Sequence, residues 1–187
     1  MIYFVGAGSG APDLITVRGK QLIETADILI YAGSLVNPEL LLYAGPDCKL
    51  YNSAEMTLEE VFKVMEEGEL AGEDTVRLHT GDPCLYGAIR EQMDLLDEKE
   101  LPYDYCPGVS SFCGAASALN LEYTLPDVSQ SVIITRMAGR TPVPEKENIE
   151  SFAAHQATMV IFLSTGMIKE LSEKLVKGGY TRETPAA

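Results

Sequence analysis

The sequence predicts an α/β protein made of two α/β domains, the first built on a mostly parallel sheet, and three observations carry that expectation. Short β-rich apolar runs recur along the chain, helical apolar patterns fill most of the gaps between them, and runs end in loops that carry glycine. Alternation of strand and helix is the pattern of a parallel sheet covered by crossover helices. The rhythm breaks once, at residues 120–130 (NLEYTLPDVSQ), where a proline and polar residues mark a hinge or inter-domain segment. The expected domains are therefore residues 1–119 and residues 120–187.

Strands are expected at residues 2–5, 27–31, 49–51, 75–80, 102–106, 131–136 and 158–163. Helices are expected at residues 17–25, 38–43, 57–69, 87–99, 110–119, 145–155 and 167–177. Residues 57–69 carry the clearest helical pattern. Leu58, Val61, Phe62 and Met65 share one face behind Thr57 as N-cap, and Glu60 completes a capping box, so that face packs on a sheet. Gly178 and Gly179 stop the last helix. The final GGYTRETPAA stands where the rhythm would next supply a strand, which fits either a natural tail or a truncated protein.

Composition narrows the function classes. The 187 residues suffice for a substantial core, and no apolar run approaches the roughly 18 residues of a spanning helix. The N-terminus lacks the basic-then-apolar order of a signal peptide, so a cytoplasmic protein that binds no membrane is expected. Net charge is −14, from 28 acidic against 14 basic residues, a field that disfavours nucleic acid and anionic membrane surfaces. Any anionic substrate must meet a local basic patch. Cys48, Cys84, Cys106 and Cys113 form no CxxC pair, and His79 and His155 lie far apart, so no metal site is expected and the thiols are expected reduced.

Five segments carry candidate chemistry, and each has a plainer role beside it. Gly6-Ala7-Gly8-Ser9-Gly10-Ala11 formally matches a dinucleotide-binding loop, as for a nicotinamide oxidoreductase. The ribose-binding acid that should close the second strand is missing, because Asp27 opens that run and Tyr31-Ala32-Gly33 closes it. The plainer role is a tight turn. Gly81-Asp82-Pro83-Cys84-Leu85-Tyr86-Gly87 follows a strand end, where open α/β sheets place ligands. Gly81 permits close backbone approach and Asp82 offers a carboxylate, while the plainer role of Asp82-Pro83 is an Asx-type turn capping the helix from Gly87. Ser110 and Ser111 open a helix after Pro107-Gly108, as caps or as ligand contacts. Arg136 and Arg140 carry forks suited to carboxylates, against a plainer role as solvated loop charges. Leu163 ends an apolar strand before Ser164-Thr165-Gly166, and His79, His155 and Met167 read as structural.

Together these segments resemble the tetrapyrrole (corrin and porphyrin) methyltransferase family. Residues 6–16, GAGSGAPDLIT, are similar to the family's GxGPGDPDLIT, with Ser9 and Ala11 departing from the usual Pro and Asp. The GDPCLYG, PGVSS and VIFLSTG stretches follow in family order, and YAGSLV with TRMAGRTPVP resembles the branch acting on precorrin-4. The resemblance implies C-11 methylation of precorrin-4 or cobalt-precorrin-4 by S-adenosylmethionine, leaving S-adenosylhomocysteine. It implies cofactor contacts at Gly81, Asp82, Leu85, Tyr86, Ser110, Ser111 and Leu163, in a cleft between the domains. Substrate contacts are implied at Arg136, Arg140, Tyr31 and Ser34. A homodimer is implied too, and a further strand-rich portion that contributes to the adenine pocket, so that the second domain is expected to be incomplete here. Within the family, uroporphyrinogen or ribosomal-RNA methylation is the alternative, and a binding module without turnover is the alternative outside enzymes.

Overall fold

Each pairing between strands is parallel in the structure, a computed structural model that describes residues 1–187. The chain divides into two compact units, Met1–Ala118 and Leu119–Ala187. In the first unit, strands β1 (Ile2–Gly6), β2 (Ile28–Tyr31), β3 (Lys49–Asn52), β4 (Thr75–His79) and β5 (Tyr103–Cys106) form one sheet in the order β3-β2-β4-β1-β5. Its helices are α1 (Val17–Thr25), α2 (Leu58–Leu70) and α3 (Arg90–Glu98), with α4 (Ser111–Leu119) at its end.

Both faces of this sheet are covered, which is why β1 and β2 read as nearly continuous apolar runs, while β4 between them carries Thr75, Arg77 and His79 at alternate positions. On one face Val5, Leu29, Val76 and Leu78 pack with Ile23 of α1 and with Val36 and Leu40. On the other, Ile2, Phe4, Ile28 and Ile30 pack with Val61 and Met65 of α2 and Leu96 of α3. Burying each such side chain stabilises the fold by about 1.5–3 kcal/mol. The α2 boundary follows from side-chain chemistry: Glu60 N donates to Thr57 Oγ1 at 3.2 Å, and Thr57 N donates to Glu60 Oε2 at 2.7 Å, which is the expected capping box.

The second unit holds β6 (Val132–Arg136) and β7 (Thr158–Phe162) as a two-stranded sheet, with α5 (Ile149–Ala153) and α6 (Ile168–Gly178). Its core is small, with Met137, Ile149 and Leu171 packed against Met159, Ile161, Met167 and Leu175.

Three helix expectations need correction. Residues 38–43 form a 3₁₀ helix, capped by Asn37 and cut short at Gly45-Pro46, because the residue before proline is pushed out of the helical region. The helix expected from residue 87 starts at Arg90, since Tyr86 and Ala88 hold φ of 58° and 50° and no helix passes through such residues. The helix expected at 145–155 splits at Asn148, whose extended backbone and side-chain bond to Ser151 N at 2.8 Å make it the cap of α5. No helix is long and apolar enough to cross a membrane.

Candidate functional site

The sheet order creates a crevice at its own centre. β1 and β4 are neighbours, yet the chain leaves β1 for β2 on one side and leaves β4 for β5 on the other. Loops that depart in opposite directions leave a gap at the carboxyl ends of the strands, the general ligand position of open α/β sheets. Loops 7–11, 80–89 and 107–110 converge there.

Glycine allows the convergence. A Cβ on Gly6 would sit 2.5 Å from Gly108 Cα and 2.6 Å from the Gly81 carbonyl oxygen, and one on Gly108 would strike that same oxygen. Gly8 and Gly81, at φ of 82° and 62°, exchange backbone hydrogen bonds of 3.2 and 2.9 Å, and Ala7 N donates to His79 O at 2.7 Å. Ser9 packs so closely on α4 that a Cβ on Gly114 would meet its hydroxyl.

Asp82 ties two of these loops together. Its Oδ1 accepts from Cys84 N at 2.9 Å and from the Tyr105 hydroxyl, and its Oδ2 accepts from Gly108 N at 3.1 Å. The Cys84 bond is an Asx turn; it caps no helix, because α3 begins only at Arg90. Partial burial pushes the carboxyl upward, but the Tyr105 hydroxyl and the two amides outweigh it and hold the group below the ordinary carboxylate range. Burial and the adjacent carboxylate push the Tyr105 phenol well above its ordinary value, so it stays a donor.

The other expected residues of the first unit lie along the same strand ends. Gly81 and Ser110 are buried, Leu85 is half-buried, and Tyr86 and Ser111 are exposed. Tyr31, the last residue of β2, packs on the core, and Ser34 is exposed in the 3₁₀ turn Gly33–Leu35. That turn is joined to the crevice loops: Thr80 Oγ1 donates to Leu35 O at 3.0 Å, and Asn37 Nδ2 donates to Gly10 O at 2.9 Å. In the second unit, Arg136 donates to its own loop, to Met137 O and Thr141 O at 3.1 Å and to Thr141 Oγ1 and Pro142 O at 2.9 Å. Arg140 is exposed and makes no ion pair. Leu163, exposed at φ 54°, follows β7.

His79 is buried beside Arg77, and burial, followed by the Arg77 charge, pushes its imidazole down to about 3, so it is neutral at ordinary pH. Its ring lies 6.1 Å from Phe4, a packing position. Sequence reasoning missed Tyr105 as the partner of Asp82. The signal was available: Tyr103 and Tyr105 alternate onto one face of β5, and a phenol partly buried against a core takes a hydrogen-bond partner. It also missed that Gly108 is held by backbone contact on both sides.

Comparison with known proteins agrees with this arrangement. The model of the tetrapyrrole (corrin/porphyrin) methylases matches residues 1–187. The chain is 53% identical over 186 residues to the cobalt-precorrin-4 C(11)-methyltransferase of Methanocaldococcus jannaschii, covering 100% of this chain and 72% of that protein. It is 42% identical over 186 residues to the precorrin-4 C(11)-methyltransferase of Pseudomonas aeruginosa, covering 100% of this chain and 74% of that one. The X-ray structure of a cobalt precorrin-4 methyltransferase superposes with a TM-score of 0.93 at 43% identity, over 96% of this chain and 75% of its own. A parallel sheet with a glycine-built crevice at its switch point and a family match along the whole length lead to one conclusion: this chain belongs to the tetrapyrrole (corrin/porphyrin) methylase family.

Proposed function

We propose that the chain transfers a methyl group from S-adenosylmethionine to C-11 of precorrin-4 or cobalt-precorrin-4. The observation that carries this reading is the identity to the Methanocaldococcus jannaschii enzyme, which extends over the whole chain and so includes every loop of the crevice. Bound S-adenosylmethionine supplies an electrophilic methyl carbon on a positively charged sulfur. The residues at the crevice fit such a group in one testable respect, because Asp82 is held as a carboxylate and the surrounding floor is main chain rather than side chain.

Gly81, Asp82, Leu85, Tyr86, Ser110 and Ser111 would hold the donor in the first unit, and Leu163 in the second. Their task is positional. Aligning donor and acceptor carbon for an in-line displacement supplies on the order of 7–11 kcal/mol of the barrier in favourable cases. Arg136 and Arg140 would bind the acetate and propionate carboxylates that ring the tetrapyrrole, through guanidinium forks, with Tyr31 and Ser34 at the substrate edge. The protein is taken to work in the cytoplasm as a homodimer, for which sedimentation of the purified chain is the check.

The test offers precorrin-4, cobalt-precorrin-4 and uroporphyrinogen III with S-adenosylmethionine labelled at the methyl carbon. Label at C-11 of either precorrin-4 form is the expected result. Transfer to uroporphyrinogen III alone, or to another carbon, overturns the reading.

A further inference from the structure

The one charged side chain buried in the first unit's sheet has no counter-charge. Arg77 sits in the middle of β4, between Phe4 of β1 and Ile30 of β2 in register, and is 7% exposed. None of the chain's ion pairs includes it. Its guanidinium finds two protein acceptors, both neutral: Gln92 Oε1 at 3.2 Å and Ile30 O at 3.4 Å. A buried cation without an anion is among the costlier arrangements in a protein, and a neutral apolar residue would fill the same place more cheaply.

The space beside it is not filled by protein. A cavity of about 150 Å³ opens between Arg77, Gln92, Ser53, Met56, Thr57 and Val61, on the α2 face of the sheet. Leu58, the first residue of α2, also lines it, and a first-turn amide has no acceptor within its own helix. The first turn carries two acids, and neither pairs with Arg77: Glu60 is engaged with the Thr57 amide, and Glu59, exposed, is held below the ordinary carboxylate range by its own amide and the Thr57 hydroxyl. Burial lowers the guanidinium only to about 10, so it remains charged at neutral pH. In a chain of net charge −14, a local cation of this kind is what an anion requires.

We propose that this cavity is an oxyanion site, with Arg77 as its cation, Gln92 as the residue that orients the guanidinium, and a carboxylate group as its ligand. The space beside the guanidinium, about 150 Å³ and open on one side, admits a carboxylate on a short stem or a small free anion. The guanidinium fork matches a carboxylate in two parallel hydrogen bonds.

Acetate is the probe, titrated at constant ionic strength into the intact chain and followed by carboxyl-carbon NMR and by thermal melting. Wild-type protein is expected to bind acetate saturably in the millimolar range and to melt higher with it. Arg77→Met, close in volume and neutral, is expected to do neither. Gln92→Glu places a carboxylate against the guanidinium and is expected to abolish acetate binding while raising the melting temperature, which keeps the test alive should Arg77→Met fail to fold. Absence of saturable binding to wild type, or undiminished binding to Gln92→Glu, overturns the proposal. The source of the carboxylate is separated in a second arm, the only one that rests on the proposed methyl transfer. Acetate that raises KM for the tetrapyrrole at unchanged kcat marks the site as the seat of a substrate carboxylate arm; saturation with no effect on KM marks a free small anion.

Discussion

The crevice loops of the first unit and the loop after β6 in the second are each organised by one charged side chain, and the two do so in opposite ways. Asp82 accepts hydrogen bonds from Cys84, Tyr105 and Gly108, the last two more than twenty positions away in sequence. Arg136 donates to Met137, Thr141 and Pro142, all within six positions. An organiser that joins distant segments is coupled to the fold of its unit, whereas a local one orders its own loop and little else. Geometry at the crevice is therefore expected to be lost only together with stability, and the arginine loop is expected to change shape without unfolding anything.

The sharpest way to break this comparison is Gly108→Ala. The added methyl strikes the Gly81 carbonyl oxygen and would lie 2.7 Å from Gly6 Cα, backbone in both cases, so neither neighbour can rotate away. Overpacking of this kind costs about 1–3 kcal/mol, and here the upper end is expected because three loops must part. Urea denaturation should show the lower midpoint, and calorimetry with S-adenosylhomocysteine should show weakened binding in the same variant. A stable Gly108→Ala protein with unimpaired binding would uncouple site from fold.

Asp82→Ala comes next. It strands two amides and a phenol, for a loss of about 1–3 kcal/mol, and weakens binding of S-adenosylmethionine through the loops as well as through any direct contact. The charge has its own signature. Because the folded carboxyl lies below its ordinary value of 3.8, its contribution to stability is fully present above pH 3.8 and disappears as pH falls through the lower folded value. The gap between wild type and Asp82→Asn in urea midpoint should therefore be constant from neutral pH down to about 4 and close below it. A gap that persists undiminished at the acid end would assign the tie to shape rather than charge.

Long-range coupling also explains how much of the molecule the sequence revealed. The capping box at Thr57 and Glu60 was legible because both partners lie within one helical turn, and the strand and helix alternation was legible because periodicity is local. The pairing of Tyr105 with Asp82 was not, since nothing local joins a phenol on β5 to a carboxylate after β4. The late start of α3 was hidden for a related reason: Tyr86 and Ala88 adopt positive φ without being glycine, a conformation imposed by surroundings rather than by residue type. Arg77 alternates with Thr75 and His79 along β4, and only the sheet order places it between Phe4 and Ile30.

The second unit supplies the smaller effects. Arg136→Ala removes the donors that gather residues 137–142, and since those bonds are partly exposed the loss is expected near 1 kcal/mol, with the midpoint of the first unit unmoved. Limited proteolysis should find new cleavage between Arg136 and Pro144 while leaving the crevice loops intact. Cleavage at the crevice as well would mean that the two organisers are not independent.

Arg140→Ala sharpens the comparison from the other side, because Arg140 is exposed and no hydrogen bond or ion pair holds it. Surface substitutions free of such contacts stay within about 0.5 kcal/mol of neutral, so thermal melting should not move. If its fork binds a substrate carboxylate, KM for the tetrapyrrole should rise about tenfold, the loss of one charge-assisted contact worth about 1.4 kcal/mol, and Arg140→Lys should recover only part of it, since an ammonium keeps the charge and loses the bidentate fit. Unchanged KM in Arg140→Ala with raised KM in Arg136→Ala would transfer the substrate contact to the arginine that already holds the loop, and one side chain would then have to exchange three backbone carbonyls and the Thr141 hydroxyl for a carboxylate as substrate binds.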